Sequence, residues 1–203
     1  MRELQPQMGP DEILEKFKLG NKRFLDGKPQ YRDHLVDASR TALGQTPYAI
    51  VLGCIDSRKP AEIIFDKGIG DIFNARVAGN FVNTDILGSI EFACKVSGSK
   101  LILIMGHSDC GAVKAAVDDV ELGNITAMLA NMKPAVASVT QSRGTATSED
   151  TSFVAHVAKQ NVLLNMEKIV HDSPIIAEMV ANGEVKIAGC MYDLESGVVD
   201  FYD

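Results

Sequence analysis

A chain of 203 residues, 46% hydrophobic and 23% charged, is long enough to close a core of its own and too apolar for a disordered polymer. Twenty Lys and Arg against 27 Asp and Glu give a net charge of −7 and an isoelectric point near 5.1. That balance excludes the chain-wide basic footprint of a nucleic-acid or anionic-membrane binder, while a local basic patch stays open. The first ten residues, Met1 to Pro10, hold no apolar stretch of signal-peptide type, so the expected address is the cytoplasm. After Pro10 the positions Ile13, Leu14, Phe17, Leu19 and Phe24 fall mostly on one helical face. Asp11 and Glu12 occupy its first turn, where the helix dipole favours acids, and Gly27 and Pro29 end it. Tyr48 to Leu52 is a short apolar run closing at Gly53, and Lys100 to Met105 is another closing at Gly106. Both predict strands buried on two faces, as in parallel sheets, and the second holds the longest apolar run, too short to span a bilayer. Asp71 to Val77 and Val185 to Ala188 are weaker strands of the same kind. Helices are expected near 60–65, 84–96, 112–117, 124–141 and 152–171, with a polar loop at 143–150. Ser173-Pro174 then caps and opens a shorter helix that stops near Asn182-Gly183.

No repeat and no compositional break divides the chain. Strands alternating with helices predict an α/β fold: a mainly parallel sheet of four to five strands flanked by helices. The expectation is one domain over 1–203, with a helical arm over 1–40 and an α/β core over 45–203. Ligands of such sheets bind beyond the carboxyl ends of the strands, which directs attention to the residues just after Leu52 and Met105.

Gly53-Cys54-Ile55-Asp56-Ser57-Arg58 follows the first strand, and Gly106-His107-Ser108-Asp109-Cys110-Gly111 follows the second. If the first segment stays extended, Cys54, Asp56 and Arg58 point to one side. If the turn after Gly106 closes, His107 and Cys110 face a common point. Two adjacent strands then supply two cysteines and a histidine around one ion, with Asp56 open as a fourth ligand. Soft thiolates with an imidazole select zinc. A single cysteine after a buried strand is most often a packed thiol; it is the joint placement, each set after a glycine at a strand end, that favours a metal. Cys94 and Cys190 are expected to be core thiols. His34, His156 and His171 lack partners at metal spacing. Asp109 is either a neighbour of the metal ligands or a loop Asp bonded to its own backbone.

Cys-x-Asp-x-Arg followed some fifty residues later by His-x-x-Cys-Gly resembles the beta-class carbonic anhydrases. Gly20-Asn-Lys-Arg-Phe24, Arg76-Val-Ala-Gly-Asn80, Gly106 to Val113 and Tyr192 to Gly197 carry the resemblance along the chain from about residue 11. It implies zinc held by Cys54, His107 and Cys110, with Asp56 and Arg58 catalytic, and reversible hydration of carbon dioxide to bicarbonate and a proton by zinc-bound hydroxide. Two thiolates and a neutral imidazole leave zinc formally neutral with a fourth position open; Asp56 as ligand would close it, and Arg58 decides by holding that carboxylate away. The resemblance further implies a substrate pocket from Gln45, Phe73, Ala78, Phe92 and Gly111. Ala78 stands where a larger aliphatic is frequent, and Phe92 where the plant-like branch often has tyrosine. The chain has no tryptophan, and so lacks the one found in the bicarbonate-inhibited branch; the open-site, plant-like branch is therefore expected. A hydrolase of carbonyl sulfide or carbon disulfide on the same centre is the alternative, as is a non-catalytic zinc-binding member, which would be expected to lack Asp56 or Arg58. The expected partners are a small-molecule substrate, neither nucleic acid nor membrane, and a second copy in a homodimer or dimer of dimers. The helical face of Ile13, Leu14, Phe17 and Phe24 is suited to wrapping that copy, which would account for a mean hydropathy of +0.04.

Overall fold

The structure, a computed structural model, describes residues 8–202; the reading of the first seven residues as free of a signal core lies outside the described residues. Helix α1 (Pro10–Leu25) starts with proline in its first turn, and α2 (His34–Thr41) is capped by the Asp33 carboxylate, which accepts from the backbone of Leu35 and Val36. There follow β1 (Ala49–Gly53), α3 (Ala61–Ile64), β2 (Ile72–Arg76) and α4 (Thr84–Glu91), which runs on into a π turn at Phe92–Val96. Next come β3 (Leu101–His107), α5 (Gly111–Val117), α6 (Gly123–Leu129), α7 (Lys133–Arg143) and α8 (Thr151–Asp172). The chain closes with α9 (Pro174–Ala181), β4 (Lys186–Tyr192) and β5 (Val199–Tyr202).

The five strands lie in the order β2-β1-β3-β4-β5, parallel except for the antiparallel pair β4 and β5. Strand alternation sorts the core into two layers. Ala49, Val51, Leu103, Met105 and Cys190 meet α1 through Ile13, Leu14 and Phe17 on one face. Ile50, Leu52, Ile102 and Ile104 meet Ile90, Val162, Ile169 and Ile176 on the other. The chain leaves β1 for β2 on one side and returns to β3 on the other. The carboxyl ends of β1 and β3 are therefore neighbours, Gly53 opposite Met105, at a switch point of the kind where open α/β sheets hold ligands.

Two expectations change, and two elements, α2 and β5, have no counterpart among the predicted ones. Helix α1 packs its apolar face on its own sheet: Ile13, Leu14 and Phe17 are fully buried and Phe24 partly so, so these side chains belong to the core of one chain. The reason is close approach, since Gly20 brings the helix so near α3 that a Cβ there would stand 1.9 Å from the Phe65 carbonyl oxygen. The single helix expected over 124–141 breaks at a 3₁₀ turn, Ala130–Met132, because Pro134 cannot continue a helix and instead begins α7. Helix α2 is amphipathic but only eight residues long, and β5 is an edge strand of four, so each offers too few repeats of its period to be read from sequence. The arm is fastened by Asp66, a buried carboxylate that accepts from Arg23, Arg32 and the Gln30 backbone.

Candidate metal centre

Strand β1 stops at Gly53, and the chain runs on through Cys54–Asp56 before turning at Ser57–Arg58. Asp56 accepts from the Arg58 backbone at 2.9 Å through Oδ1, an Asx turn, and Lys59 N donates to Asp56 O. Asp56 and Arg58 thus meet through a turn and not through strand alternation. The guanidinium grips the carboxylate with two further bonds, Nε to Oδ1 at 3.0 Å and Nη2 to Oδ2 at 2.7 Å. That clamp holds the Asp56 carboxyl well below the usual carboxylate range, so it is ionised across neutral pH. Arg76, at the end of β2, fixes the same loop from behind: its Nε donates to Cys54 O at 2.9 Å and its Nη2 to Asp56 O at 2.5 Å.

Strand β3 carries the chain to His107, and Asp109 reverses it in the left-handed region at φ +54, placing Cys110 before the first turn of α5. Asp109 pairs with Lys114, the one side-chain partner of its carboxylate among the described residues. The turn delivers three buried ligand atoms, from Cys54, His107 and Cys110, all within 4.8 Å of one another. The histidine is oriented by chemistry: a carbonyl only accepts, so Nδ1–H donates to Ser108 O at 2.8 Å, and Nε2 is left as a bare lone pair. That Nε2 is buried and has no hydrogen-bond partner, an arrangement a metal ion would satisfy. The sulfurs are 4.0 Å apart. Donation from Cys110 pulls the Cys54 thiol well below its ordinary value, against burial and with help from the Gly79 N–H at 3.4 Å, while the same bond and burial push the Cys110 thiol up. Two cysteines that would bind a metal as thiolates once the shared proton is displaced, a tautomerically fixed imidazole and a carboxylate held aside form a three-ligand set that fits zinc.

A network unread in the sequence steadies Cys54. Helix α8 aligns Asn161 and Asn165 one turn apart on its buried side. Asn161 Nδ2 donates to Gly79 O at 2.9 Å, Asn165 Nδ2 donates to Asn161 Oδ1 at 3.1 Å, and Val82 N donates to Asn165 Oδ1 at 2.7 Å. The loop 79–82 is pinned so that Gly79 N–H faces the sulfur. Gly79 sits at φ +83, and a Cβ on it would meet Met132 Sδ at 2.3 Å. The Arg-Val-Ala-Gly-Asn run after a strand was the available signal; the two asparagines, 82 and more residues away, gave none.

The remaining expected site residues lie apart. Gln45 lines a cavity of about 880 Å³ before the start of β1, with Tyr48 and Arg40. Phe73 and Phe92 share a separate groove beside Ile50 and Ser89. Ala78 is half-buried in the loop next to Gly79, and Gly111 opens α5 with free space around its Cα. None of Gln45, Phe73 and Phe92 shares a cavity with the ligand triad among the described residues. Arg58, Ser108, Asp109 and Lys114 instead line a smaller opening beside the centre, of about 420 Å³. Cys94 and Cys190 are buried thiols pushed up to about 12 by desolvation.

A carbonic anhydrase family profile matches residues 49–199. Carbonic anhydrase 2 of Mycobacterium tuberculosis is 36% identical over 193 residues, covering 95% of this chain and 92% of that protein. A carbonic anhydrase of Mycolicibacterium smegmatis is 36% identical over 197 residues, covering 96% and 94%. Among solved structures, the beta-carbonic anhydrase CcaA superposes with a TM-score of 0.77 at 23% identity over 94% of this chain and 95% of that one. A chain from the tetrameric beta-carbonic anhydrases of Sordaria macrospora gives 0.72 at 26% identity over 93% and 96%. With the Cys-His-Cys triad and the sheet order already in place, the chain belongs to the beta class of the carbonic anhydrase family.

Proposed function

We propose that this chain is a zinc enzyme that reversibly hydrates carbon dioxide to bicarbonate and a proton. The observation that carries the reading is the buried triad of Cys54, His107 and Cys110 with an unpartnered Nε2, beside a carboxylate that Arg58 holds back. Zinc bound there supplies a Lewis acid that makes water a nucleophile near neutral pH. The chain's own groups do the rest. Asp56 Oδ1 already accepts two donors from Arg58, whereas Oδ2 accepts one. Oδ2 therefore keeps a free lone pair to take the O–H of the attacking water and aim its oxygen. Because Asp56 is ionised and clamped by Arg58, it would be free to accept that hydrogen bond and would not serve as a ligand to a bound metal, as expected of the open-site branch. The apolar surround of Val113, Leu129, Met132 and Phe153 keeps the sulfurs dry, and apolar carbon dioxide needs no charged anchor to enter.

Asp56 and Arg58 together argue against a non-catalytic zinc-binding role. Residues 1–40 and 45–203 read as arm and core of one domain, and the expected location is the cytoplasm. A homodimer or dimer of dimers is supported by large apolar side chains left exposed outside α1's buried face, among them Leu35, Leu43, Ile63 and Phe92. Stopped-flow hydration by zinc-loaded protein, with hydrogen sulfide release from carbonyl sulfide measured in parallel, tests the reading. Hydration well above buffer at pH 8 to 8.5 is expected, and none at all would refute it.

A further inference from the structure

Lys59 is the group that the hydration chemistry leaves unexplained. Its side chain folds back under the turn that carries Asp56 and is 2% exposed, and its amine donates to Met105 O at 3.1 Å. Nζ stands 2.3 Å from where a Cβ on Gly53 would be, so the glycine that immediately precedes Cys54 makes room for an ammonium. No carboxylate pairs with it among the described residues. The groups that face it are Cys190 from β4, Cys54 after β1 and Cys110 before α5, with Arg76 of β2 the other cation. Burial draws the amine down to about 8, which leaves it mostly charged at pH 7.

A buried ammonium with one carbonyl partner is costly unless negative charge lies close by, and the nearest source is the metal-ligand pair Cys54 and Cys110, since burial keeps Cys190 a neutral thiol. A dication held by two thiolates and an imidazole is formally neutral, so any anion arriving at its open side makes the centre negative. We propose that Lys59 is an electrostatic positioning residue whose buried charge strengthens the hold of the metal centre on small monoanions of the hydroxide and bicarbonate kind. It acts across the strand, from the face opposite the ligands, through its field and not by contact. The proposal rests on the zinc carbonic anhydrase reading above.

Lys59→Met removes the charge at similar bulk, and Lys59→Gln also keeps an N–H for Met105 O. Each is loaded with cobalt(II), whose absorption reports ligand exchange, and titrated with azide at pH 7. Azide binding about tenfold weaker than in the parent is expected in both, a loss of about 1.4 kcal/mol. Lys67→Met serves as the control: Lys67 is also buried but hydrogen-bonds Lys16 O near the amino ends of the strands, so parental affinity is expected. Parental azide affinity in either folded, cobalt-loaded Lys59 variant overturns the proposal. So does failure of both to fold, which would make the residue structural. Carbon dioxide hydration by the zinc-loaded parent is assayed alongside: an inactive parent refutes the enzymatic reading, whereas an active parent with unchanged azide binding in the variants refutes only the role of Lys59.

Discussion

Asn161→Ala should loosen zinc from a centre it never touches. The side chain is buried, donates to Gly79 O and accepts from Asn165 Nδ2. Truncation deletes both bonds and leaves a buried carbonyl without its donor; at roughly 1 kcal/mol for a lost bond and 1–3 for an orphaned group, the total is about 3 kcal/mol. For a chain of this length that corresponds to a fall in melting temperature of about 6–12 °C. The metal feels the change through the next link, since Gly79 N–H donates to Cys54 Sγ at 3.4 Å. Loss of such outer support typically weakens metal binding about 10- to 100-fold. Thermal melting of zinc-loaded protein reads the first effect, and competition with a chromophoric chelator reads the second. A variant that melts early yet holds zinc as tightly as the parent would refute the link from α8 to Cys54 and leave Asn161 a purely structural residue.

Asp56→Asn keeps the shape of the turn but removes the anionic acceptor, so hydration should fall by about 10²-fold or more while zinc content stays full; a zinc-replete, fully active variant would exclude the role given to Oδ2. Asp66→Asn strips the buried anion from Arg23 and Arg32 and should cost about 3 kcal/mol at pH 7. The Asp66 carboxyl titrates below its ordinary value despite burial, because the two guanidiniums favour its charged form. Its contribution is therefore complete above the unfolded carboxylate range and is lost as pH falls through the lowered folded value, so melting curves of parent and variant should converge only below about pH 4. Gly20→Ala forces a methyl into the Phe65 carbonyl and should cost about 2–3 kcal/mol by moving α1 off the sheet, read as a lower denaturant midpoint.

Local chemistry and short periods made part of the fold legible in the sequence. The two apolar runs at 48–52 and 100–105 appear as β1 and β3 because strands buried on both faces need no alternation, and Ser173-Pro174 caps α9 as its chemistry requires. The grouping of Cys54, His107 and Cys110 was also legible, because they lie in two short segments at strand ends. Positions set by long-range packing were not. No period in residues 10–25 says which surface the apolar face meets; the close approach of Gly20 to Phe65 seats Ile13, Leu14 and Phe17 on the chain's own sheet.

Length, composition and motif spacing alone determined one α/β chain with a candidate thiolate-imidazole metal centre, since residue type and order fix which ligands two strand ends can offer. Only the tertiary structure decided how that centre is supported: Gly79 against Cys54, the asparagines of α8 behind Gly79, and Lys59 under Gly53. The slight apolar excess does not belong to the α1 face but elsewhere on the surface, because Ile13, Leu14 and Phe17 are spent in the core while Leu35, Leu43, Ile63 and Phe92 remain exposed. A sequence specifies which side chains are apolar or charged, but which of them share a buried, low-dielectric volume is settled only when the sheet and its helices close around it.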